Sequence, residues 1–339
     1  MTPPTVVISL DLELCWGTFD LVFDENVREM ARWTHDVGAP RLLHHLTKNG
    51  LSATWAVVGA MMNSSFPDVS KLPEVRFPHF AKDWFSYVPR YGDELHCPEW
   101  FGASLVEMIK NAKPEQEIGF HSFSHVPFGW PGMTRERAIA EYEYCALLGR
   151  RLGIEAATFV FPRNSVAFLS ELRDAGFASF RDTDELSLRF KNRWLNSAGM
   201  IWADLVALAP RIVEPRTKEG LVAIPGSLMI RYAGGWRKYI PDACRLLRLK
   251  KGLNRVRESG GVFHVWFHPE NLFARRPRLE RVVARFLDEL ADCVQRGEVR
   301  CMTMGQLAAE FRQKFAFHQE GVQPALVADT FPEYSQESR

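Results

Sequence analysis

The chain has 339 residues, of which 46% are hydrophobic, so it is long enough to bury a sizeable core. Its 42 lysine and arginine residues almost cancel its 41 aspartate and glutamate residues, a balance that argues against binding to nucleic acid. The six cysteines form no Cys-x-x-Cys pair, which excludes a disulfide framework and a cysteine zinc site.

Short strand-like segments alternate with amphipathic helical patterns along most of the chain. The segments are rich in Val, Ile, Phe and Trp, and their alternation with helices indicates βα units around a mainly parallel sheet. In chain order, the predicted strands cover residues 6–14, 53–59, 117–122, 157–162, 178–182, 221–227 and 262–268. About seven strands with crossover helices favour a closed or nearly closed α/β barrel.

The helices between these strands are predicted from apolar stripes and stop signals. They cover residues 41–48, 138–152, 165–175 and 279–290. The first three end at Gly50, Gly153 and Gly176, as helices commonly do. Near the end of the chain, Thr303-Met-Gly-Gln306 has the form of a capping box that opens a last helix.

An open doubly wound sheet is the alternative architecture, because periodicity does not distinguish it from a barrel. The polar residues favour the barrel, since many of them fall at the C-terminal ends of strand-like segments, where a barrel collects its active site. These residues are Asp11, Glu13, His121, His125, Arg163, Ser227 and His268. A barrel also brings the first and the seventh strand together easily.

Two segments fit no βα unit. Residues 60–114 are rich in proline and aromatic residues, and we expect a loop excursion over the barrel mouth rather than a separate domain. Residues 1–317 would then form a single domain, and the polar residues 318–339 a flexible tail. The basic run 245–257 could meet a diphosphate or an anionic membrane surface, but we favour the solvated face of a helix.

The first strand carries two carboxylates close together. Alternation places Asp11 and Glu13 on the same face, opposite the leucines between and beside them. Two adjacent carboxylates repel each other unless a positive group lies between them, and a divalent metal would supply that charge. In isolation such a pair is more often two solvated acids at a strand end.

Two further motifs contain histidines spaced four apart. His121 and His125 follow a strand, so a single helical turn would point both imidazoles the same way. Two imidazoles and a carboxylate can hold a divalent metal and leave a coordination position open. In the last predicted strand, alternation puts His264, Trp266 and His268 on one face with only His268 at the open end. We therefore take His268 as the proton donor, and His264 as a core histidine or a support behind the site.

Five motifs occur in order along the chain, at residues 8–17, 53–59, 117–125, 160–164 and 263–271. Together they resemble the NodB-homology polysaccharide deacetylases, which are grouped as carbohydrate esterase family 4, and the resemblance covers residues 5–315. It implies a deformed (β/α) barrel with one divalent metal, usually Zn²⁺, that removes acetyl groups from N-acetylated sugars. Co²⁺, Ni²⁺, Mn²⁺ and Fe²⁺ would also suit such a ligand set.

The resemblance also implies a role for each motif residue. Asp11 corresponds to the general base, Glu13 to the carboxylate ligand, His121 and His125 to the histidine ligands, and His268 to the general acid. The family's first motif has adjacent aspartates, whereas this chain has Asp-x-Glu, so Glu13 could bind the metal directly or through water.

The third motif departs from the family pattern as well. Pro162 precedes Arg163 and no glycine follows, whereas the family places an arginine ahead of a Pro-Gly pattern. We nevertheless expect Arg163 to orient Asp11. For substrate binding, the candidates are Trp16, Ser227 and Trp266, because an indole face stacks well on a sugar ring.

The resulting hypothesis is a hydrolase that removes the N-acetyl group from an amino sugar precursor. The chain shows no basic leader, no cleavage site and no uncharged apolar stretch of about 18 residues, so we expect a cytoplasmic protein with at most peripheral membrane contact. This location favours a nucleotide-linked or lipid-linked precursor in surface polysaccharide biosynthesis, such as lipopolysaccharide O-antigen. The alternatives are an amide hydrolase acting on an acetylated polyamine or a cyclic ureide, and a non-catalytic glycan-binding barrel.

Overall fold

Ten β-strands form one sheet in the computed structural model, which describes residues 2–80, 82–185, 193–273 and 278–320. The strands are β1 Thr5–Leu12, β2 Thr54–Val57, β3 Glu117–Phe120, β4 Thr158–Val160, β5 Ser179–Asp182, β6 Arg216–Lys218, β7 Leu221–Pro225, β8 Leu228–Met229, β9 Val262–Phe267 and β10 Arg300–Met302. Every residue of β1, β7 and β9 is buried, as expected for parallel strands covered on both faces.

The sheet curls into the predicted deformed barrel. Its strand order is β6-β7-β5-β4-β3-β2-β1-β9-β8, with β10 beside β1, and the pairing is parallel throughout except between β6 and β7. Strand β7 pairs with β5, whereas β8, which follows after only Gly226 and Ser227, pairs with β9. The chain therefore joins the two ends of the sheet at this point. The parallel pairing of β1 with β9 confirms that the first and the seventh predicted strand are neighbours.

Nine α-helices surround the sheet in the described part of the chain. They are α1 Glu25–Trp33, α2 Ala39–Lys48, α3 Ala103–Lys110, α4 Arg135–Leu152, α5 Leu169–Asp174, α6 Arg193–Leu205, α7 Asp242–Ser259, α8 Arg278–Gln295 and α9 Met304–Glu320. The predicted capping box is confirmed, because the Thr303 amide donates to Gln306 Oε1 at 3.0 Å and the Gln306 amide donates to Thr303 Oγ1 at 3.2 Å. Gly153 ends α4 with a φ of 64°.

The segment 60–114 contributes α3 and a set of buried aromatic residues, among them Trp84, Trp100 and Phe101. At the other end of the chain, α9 continues through Glu320, beyond residue 317, where the tail was predicted to begin. The remaining predicted tail, 321–339, lies outside the described residues. None of the helices in the described part of the chain combines the length and the apolar character needed to cross a membrane.

The basic run 245–257 lies in α7, where three of its side chains contact the end of α6 and the segment after it. Arg248 forms an ion pair with Asp204, and Lys251 Nζ donates to the Ala207 carbonyl at 2.8 Å. Arg255 donates to the Pro210 carbonyl at 3.1 Å. The run therefore lies on a helix, as predicted, but Arg248 is buried and these three side chains contact the protein, so this part of the face is not a solvated one.

His264 connects three strands inside the barrel. Its side chain is fully buried in β9, where Nδ1 lies 2.9 Å from the Pro225 carbonyl of β7 and Nε2 lies 2.8 Å from Ser9 Oγ of β1. Burial, together with the nearby Arg181 guanidinium, lowers the pKa of His264 to about 3. His264 is therefore a neutral core residue.

This burial makes stability depend on pH. Between the ordinary histidine pKa of 6.5 and about 3, the unfolded chain binds a proton at His264 that the folded protein does not, so stability falls as the pH is lowered through this range. Between pH 7.5 and 5.5, the wild type should lose about 1.4 kcal/mol of unfolding free energy more than His264→Gln does, measured by urea denaturation. His44→Gln, at an exposed position, is the matched control and should behave as the wild type. Equal losses in the wild type and His264→Gln would contradict the buried neutral imidazole.

Candidate metal and catalytic site

The ends of the parallel strands gather the charged residues predicted from the motifs. Asp11 is the second-last residue of β1, and Glu13 follows directly after that strand. His121 and His268 come directly after β3 and β9. Asp11 and Glu13 are only 2% and 7% exposed, so both carboxylates need partners within the protein. They find different ones.

One carboxylate oxygen of Glu13 faces three imidazoles. Glu13 Oε1 lies 2.8 Å from His121 Nε2, 3.2 Å from His125 Nε2 and 3.2 Å from His268 Nε2. Burial opposes the charge on Glu13, yet the imidazoles of His268 and His125 outweigh it and hold the pKa of Glu13 well below its usual range. The carboxylate is therefore ionised.

The hydrogen bonding of His121 shows that this cluster fits a metal ion. His121 Nδ1 lies 2.8 Å from the Val160 carbonyl, to which it can only donate, so a neutral imidazole presents a bare lone pair at Nε2. That lone pair points at the Glu13 carboxylate, and two acceptors at this distance repel unless a proton or a metal ion lies between them. Burial lowers the pKa of His125, which keeps this second imidazole neutral. In the described residues, the groups that could hold a metal are Glu13 with His121 and His125, and Glu13 with Asp11 and His268.

Asp11 is held by an arginine instead. Arg181 Nη1 and Nη2 donate to Asp11 Oδ1 and Oδ2, each at 2.6 Å, in a bidentate pair. The Arg181 guanidinium is buried and lies 4.0 Å above the Trp266 ring. Burial favours the neutral acid, but Arg181 and His121 outweigh it and lower the pKa of Asp11. Asp11 therefore stays ionised, with a fixed orientation.

The prediction that Arg163 orients Asp11 is wrong. Arg163 Nη2 donates to Asp20 Oδ1 at 2.5 Å, and its guanidinium lies over the Trp130 ring at 5.2 Å. Arg163 lines the same cavity as Asp11, but the arginine that contacts Asp11 comes from β5. A sign of this was present in the sequence, because Arg181 stands in a predicted buried strand, where a charge is stable only with a partner.

His268 occupies the open side of the cluster. Its side chain is 21% exposed, and Nε2 lies 3.8 Å from Asp11 Oδ2 in addition to its contact with Glu13. Asn271 Nδ2 lies 3.5 Å from His268 Nδ1, so in the neutral imidazole the proton is favoured on Nε2, the nitrogen that faces the carboxylates. Burial opposes protonation, but Glu13 and Asp11 raise the pKa of His268 to about 9.

The two histidines of the second motif converge by a different route from the predicted one. No helical turn forms after β3; Ser122 and His125 instead adopt left-handed conformations with φ of 56° and 60°. Glu141 on α4 holds this loop, because its Oε2 accepts hydrogen bonds from the amides of Phe123 and Ser124, both at 2.9 Å. Buried Arg137 neutralises the same carboxylate, with Nη2 at 2.8 Å from Glu141 Oε1.

Two residues that the motifs did not single out shape the Glu13 turn. Glu270 is buried and accepts a hydrogen bond from the Leu14 amide at 2.8 Å, while its Oε2 has no partner. Burial and the neighbouring Glu13 raise the pKa of Glu270 to about 7. Gly17 lies against the Glu13 carboxylate so closely that an added Cβ would stand 1.8 Å from Oε2. Only glycine leaves room for this carboxylate.

A cavity of about 730 Å³ opens onto these residues. Its lining includes Asp11, Glu13, His125, Arg181, Trp266 and His268. Trp266 therefore remains a candidate for substrate binding, with its Nε1 hydrogen-bonded to Asp184 at 2.8 Å. None of the described residues of the excursion 60–114 contributes to this lining.

The structure contradicts the other two predicted substrate contacts. Trp16 is fully buried, packs edge-on against Phe19 and Trp100, and donates from Nε1 to the Trp100 carbonyl at 3.0 Å. Its indole anchors the excursion to the turn after β1 and presents no face to the cavity. Ser227 is buried between β7 and β8, where its Oγ accepts a hydrogen bond from the His264 amide at 3.1 Å. Its role is to connect these strands to β9.

Several solved structures resemble the chain over nearly its whole length. A candidate polysaccharide deacetylase from Mycobacterium smegmatis aligns with a TM-score of 0.60 at 16% identity, covering 97% of this chain and 94% of that one. A candidate polysaccharide deacetylase from Pseudomonas aeruginosa PAO1 aligns with a TM-score of 0.58 at 12% identity, covering 92% of each chain. The PuuE allantoinase aligns with a TM-score of 0.57 at 11% identity, covering 92% of this chain and 91% of its own.

No protein-family model matches the chain, and no curated protein matches its sequence. At such low identities the structural likeness shows the fold: the chain has the NodB-homology barrel that its motifs resemble.

The Glu141 network yields a test of how the histidine loop is held. Glu141→Ala leaves Arg137 buried without its carboxylate and frees two loop amides, so we expect a loss of about 3–5 kcal/mol of unfolding free energy, measured by urea denaturation. Glu143→Ala, at an exposed position on the same helix, should change stability by less than about 0.5 kcal/mol. Similar stabilities for the two variants would show that the buried pair does not support the loop.

Proposed function

We propose that this chain, whose fold is the polysaccharide deacetylase barrel, is a metal-dependent hydrolase that removes the N-acetyl group from an amino sugar precursor. The observation that supports this most strongly is the convergence of three imidazoles on one Glu13 oxygen, beside an Asp11 carboxylate that an arginine holds separately. A metal-ligand set and an independent ionised base are the parts that amide hydrolysis needs.

Glu13, His121 and His125 would hold the metal ion. When bound, a divalent ion such as Zn²⁺ polarises an acyl carbonyl and acidifies water. Two imidazoles and a carboxylate also suit Co²⁺, Ni²⁺, Mn²⁺ and Fe²⁺. The turn after β1, shaped by Gly17 and Glu270, places the Glu13 carboxylate against the two histidines.

Asp11 acts as the general base in this proposal. Its carboxylate is ionised and fixed by the bidentate pair with Arg181, so it can accept the proton of an attacking water without reorienting. Arg181 itself is held over the Trp266 ring and donates to Asn164 Oδ1 at 3.3 Å. Arg181 thus takes the positioning role first expected of Arg163.

His268 acts as the general acid. It is more exposed than the other cluster residues, lies at the cavity, and presents Nε2 to the same space as Asp11. A proton donated from this nitrogen to the sugar nitrogen lets the C–N bond break, which releases acetate and a free amine. Trp266 lies two residues before His268 and lines the same cavity, so its ring can contact the sugar.

The proposed substrate is a nucleotide-linked or lipid-linked amino sugar used to build a surface polysaccharide, such as lipopolysaccharide O-antigen. The cavity of about 730 Å³ is in the upper part of the range of 300–1,000 Å³ that is usual for ligand sites, and it leaves room beyond the acetylated ring.

A second candidate is hydrolysis of a non-sugar amide, such as a cyclic ureide or an acetylated polyamine. It is supported by the allantoinase that shares this fold at a TM-score of 0.57. A non-catalytic glycan-binding barrel is a weaker alternative, because it would not require Asp11, Glu13, His121, His125 and His268 together.

Metal analysis combined with an acetate-release assay tests the proposal. Purified wild type should contain about one equivalent of a divalent metal and release acetate from an N-acetylated amino sugar such as UDP-N-acetylglucosamine. Asp11→Asn should keep the metal and lose turnover by about 10²-fold or more, because the base is gone while the ligands remain. His121→Ala should lose both the metal and the activity.

Asp174→Asn and His44→Ala replace exposed residues of the same types and are the controls, with wild-type metal content and turnover expected. Metal without acetate release would favour the non-sugar amide substrate. Absence of metal from the wild type, or full activity of Asp11→Asn, would contradict the proposed mechanism.

A further inference from the structure

The cavity carries more positive charge than its acidic residues neutralise. Four arginines line it: Arg163, Arg181, Arg231 and Arg237. Arg181 pairs with Asp11, and Arg163 pairs with Asp20. The other two belong to the segment that follows β8, and they form a separate part of the lining.

Neither Arg231 nor Arg237 has a side-chain hydrogen bond or an ion pair with any described residue. Asp204, which lines a second, smaller cavity together with both arginines, forms its ion pair with Arg248. Arg237 Nε is buried with no hydrogen-bond partner. Burial lowers the pKa of Arg231, and the neighbouring Arg237 and Arg248 act in the same direction against Asp204 and Asp184. Two arginines thus line the same cavity in partly buried positions, although like charges repel.

Such a pair has the chemistry of a phosphate site. A guanidinium presents a planar set of donors that matches phosphate oxygens in a bidentate manner, and a partly buried position strengthens the attraction to an anion. We propose that Arg231 and Arg237 bind a phosphate group carried by the substrate, so that the site selects a phosphorylated N-acyl sugar over a neutral glycan. This inference rests on the proposed function, because it places the acyl sugar at Glu13 and the phosphate at the arginine pair.

The phosphate could come from a sugar nucleotide or from a polyprenyl carrier lipid. Aromatic residues of the same segment are exposed beside the arginines: Tyr232 at 43% and Trp236 at 79%. Flat exposed rings can stack on a nucleobase or lie at a membrane interface. Both sources share the phosphate chemistry, and the experiment separates them.

The test measures binding by isothermal titration calorimetry with the full chain, using N-acetylglucosamine 1-phosphate and N-acetylglucosamine as probes. The wild type should bind the phosphorylated sugar more tightly than the neutral one. Arg231→Gln and Arg237→Gln should each weaken binding of the phosphorylated probe by about tenfold or more, since a hydrogen bond to a charged group is lost. Arg211→Gln, an exposed arginine that does not line the cavity, removes the same charge and should stay within twofold of the wild type.

Arg237→Gln is a second, independent variant in case Arg231→Gln fails to fold. Thermal melts of both variants show whether each is folded. Equal affinities for the two probes in the wild type, no detectable binding of either, or arginine variants that match Arg211→Gln would overturn the subsite.

Two further titrations identify the carrier: UDP-N-acetylglucosamine in solution, and a polyprenyl diphosphate-linked N-acetylglucosamine in phosphatidylcholine vesicles. The ligand that binds more tightly, and whose affinity falls in Arg231→Gln, identifies the source of the phosphate. A loss of affinity in Arg231→Gln for either ligand supports the subsite. Because binding needs no turnover, arginine-dependent binding without acetate release would leave the subsite standing and refute the deacetylase. Equal acetate release from neutral and phosphorylated sugars, unchanged in Arg231→Gln, would support the deacetylase and refute the subsite.

Discussion

The structure depends on one buried carboxylate oxygen that faces three imidazoles. Glu13 Oε1 lies within 3.2 Å of the Nε2 atoms of His121, His125 and His268, in a place where water cannot compensate an unmatched charge. The Val160 carbonyl fixes the orientation of His121, and Glu141 fixes the loop that carries His125. Glu13, His121 and His125 are thus held together as a candidate site for a cation.

A second consequence is the separation of two carboxylates that are close in sequence. Asp11 pairs with Arg181 and Glu13 meets the histidines, so the two acids are both ionised but for different reasons. Two acids in contrasting surroundings can take different roles in one reaction, and we propose that Glu13 is a metal ligand and Asp11 the base. The curled sheet makes this possible, because β1 lies between β2 and β9 while Arg181 reaches Asp11 across the barrel from β5.

The sequence predicted those parts that local patterns determine. All seven predicted strands are present as β1, β2, β3, β4, β5, β7 and β9, because each is a continuous apolar run with a clear end. The capping box before α9 follows from spacing alone. Alternation placed His264 deeper than His268 on the same face, but only its burial identifies it as a core residue. The short strands β6, β8 and β10 were not predicted, since two or three residues leave no periodicity to detect.

The errors arose where a contact joins distant parts of the chain. Arg163 and Arg181 both stand near strand ends, and only the curvature of the sheet decides which of them reaches Asp11. Trp16 was predicted to contact the sugar because it closely follows β1, but buried aromatic residues of 60–114 pack against it. The left-handed backbone of Ser122 and His125 could not be predicted either, because the hydrogen bonds that hold this loop come from Glu141 on α4, in another part of the fold.

In the proposed site, Glu13, His121 and His125 share one cation. An anomalous difference map, recorded at the zinc absorption edge from crystals of the full chain grown with Zn²⁺, would locate it. We expect one dominant peak enclosed by the Glu13 carboxylate and the Nε2 atoms of His121 and His125. A map without a peak among these three side chains, or with its dominant peak bound elsewhere on the protein, would rule out this site.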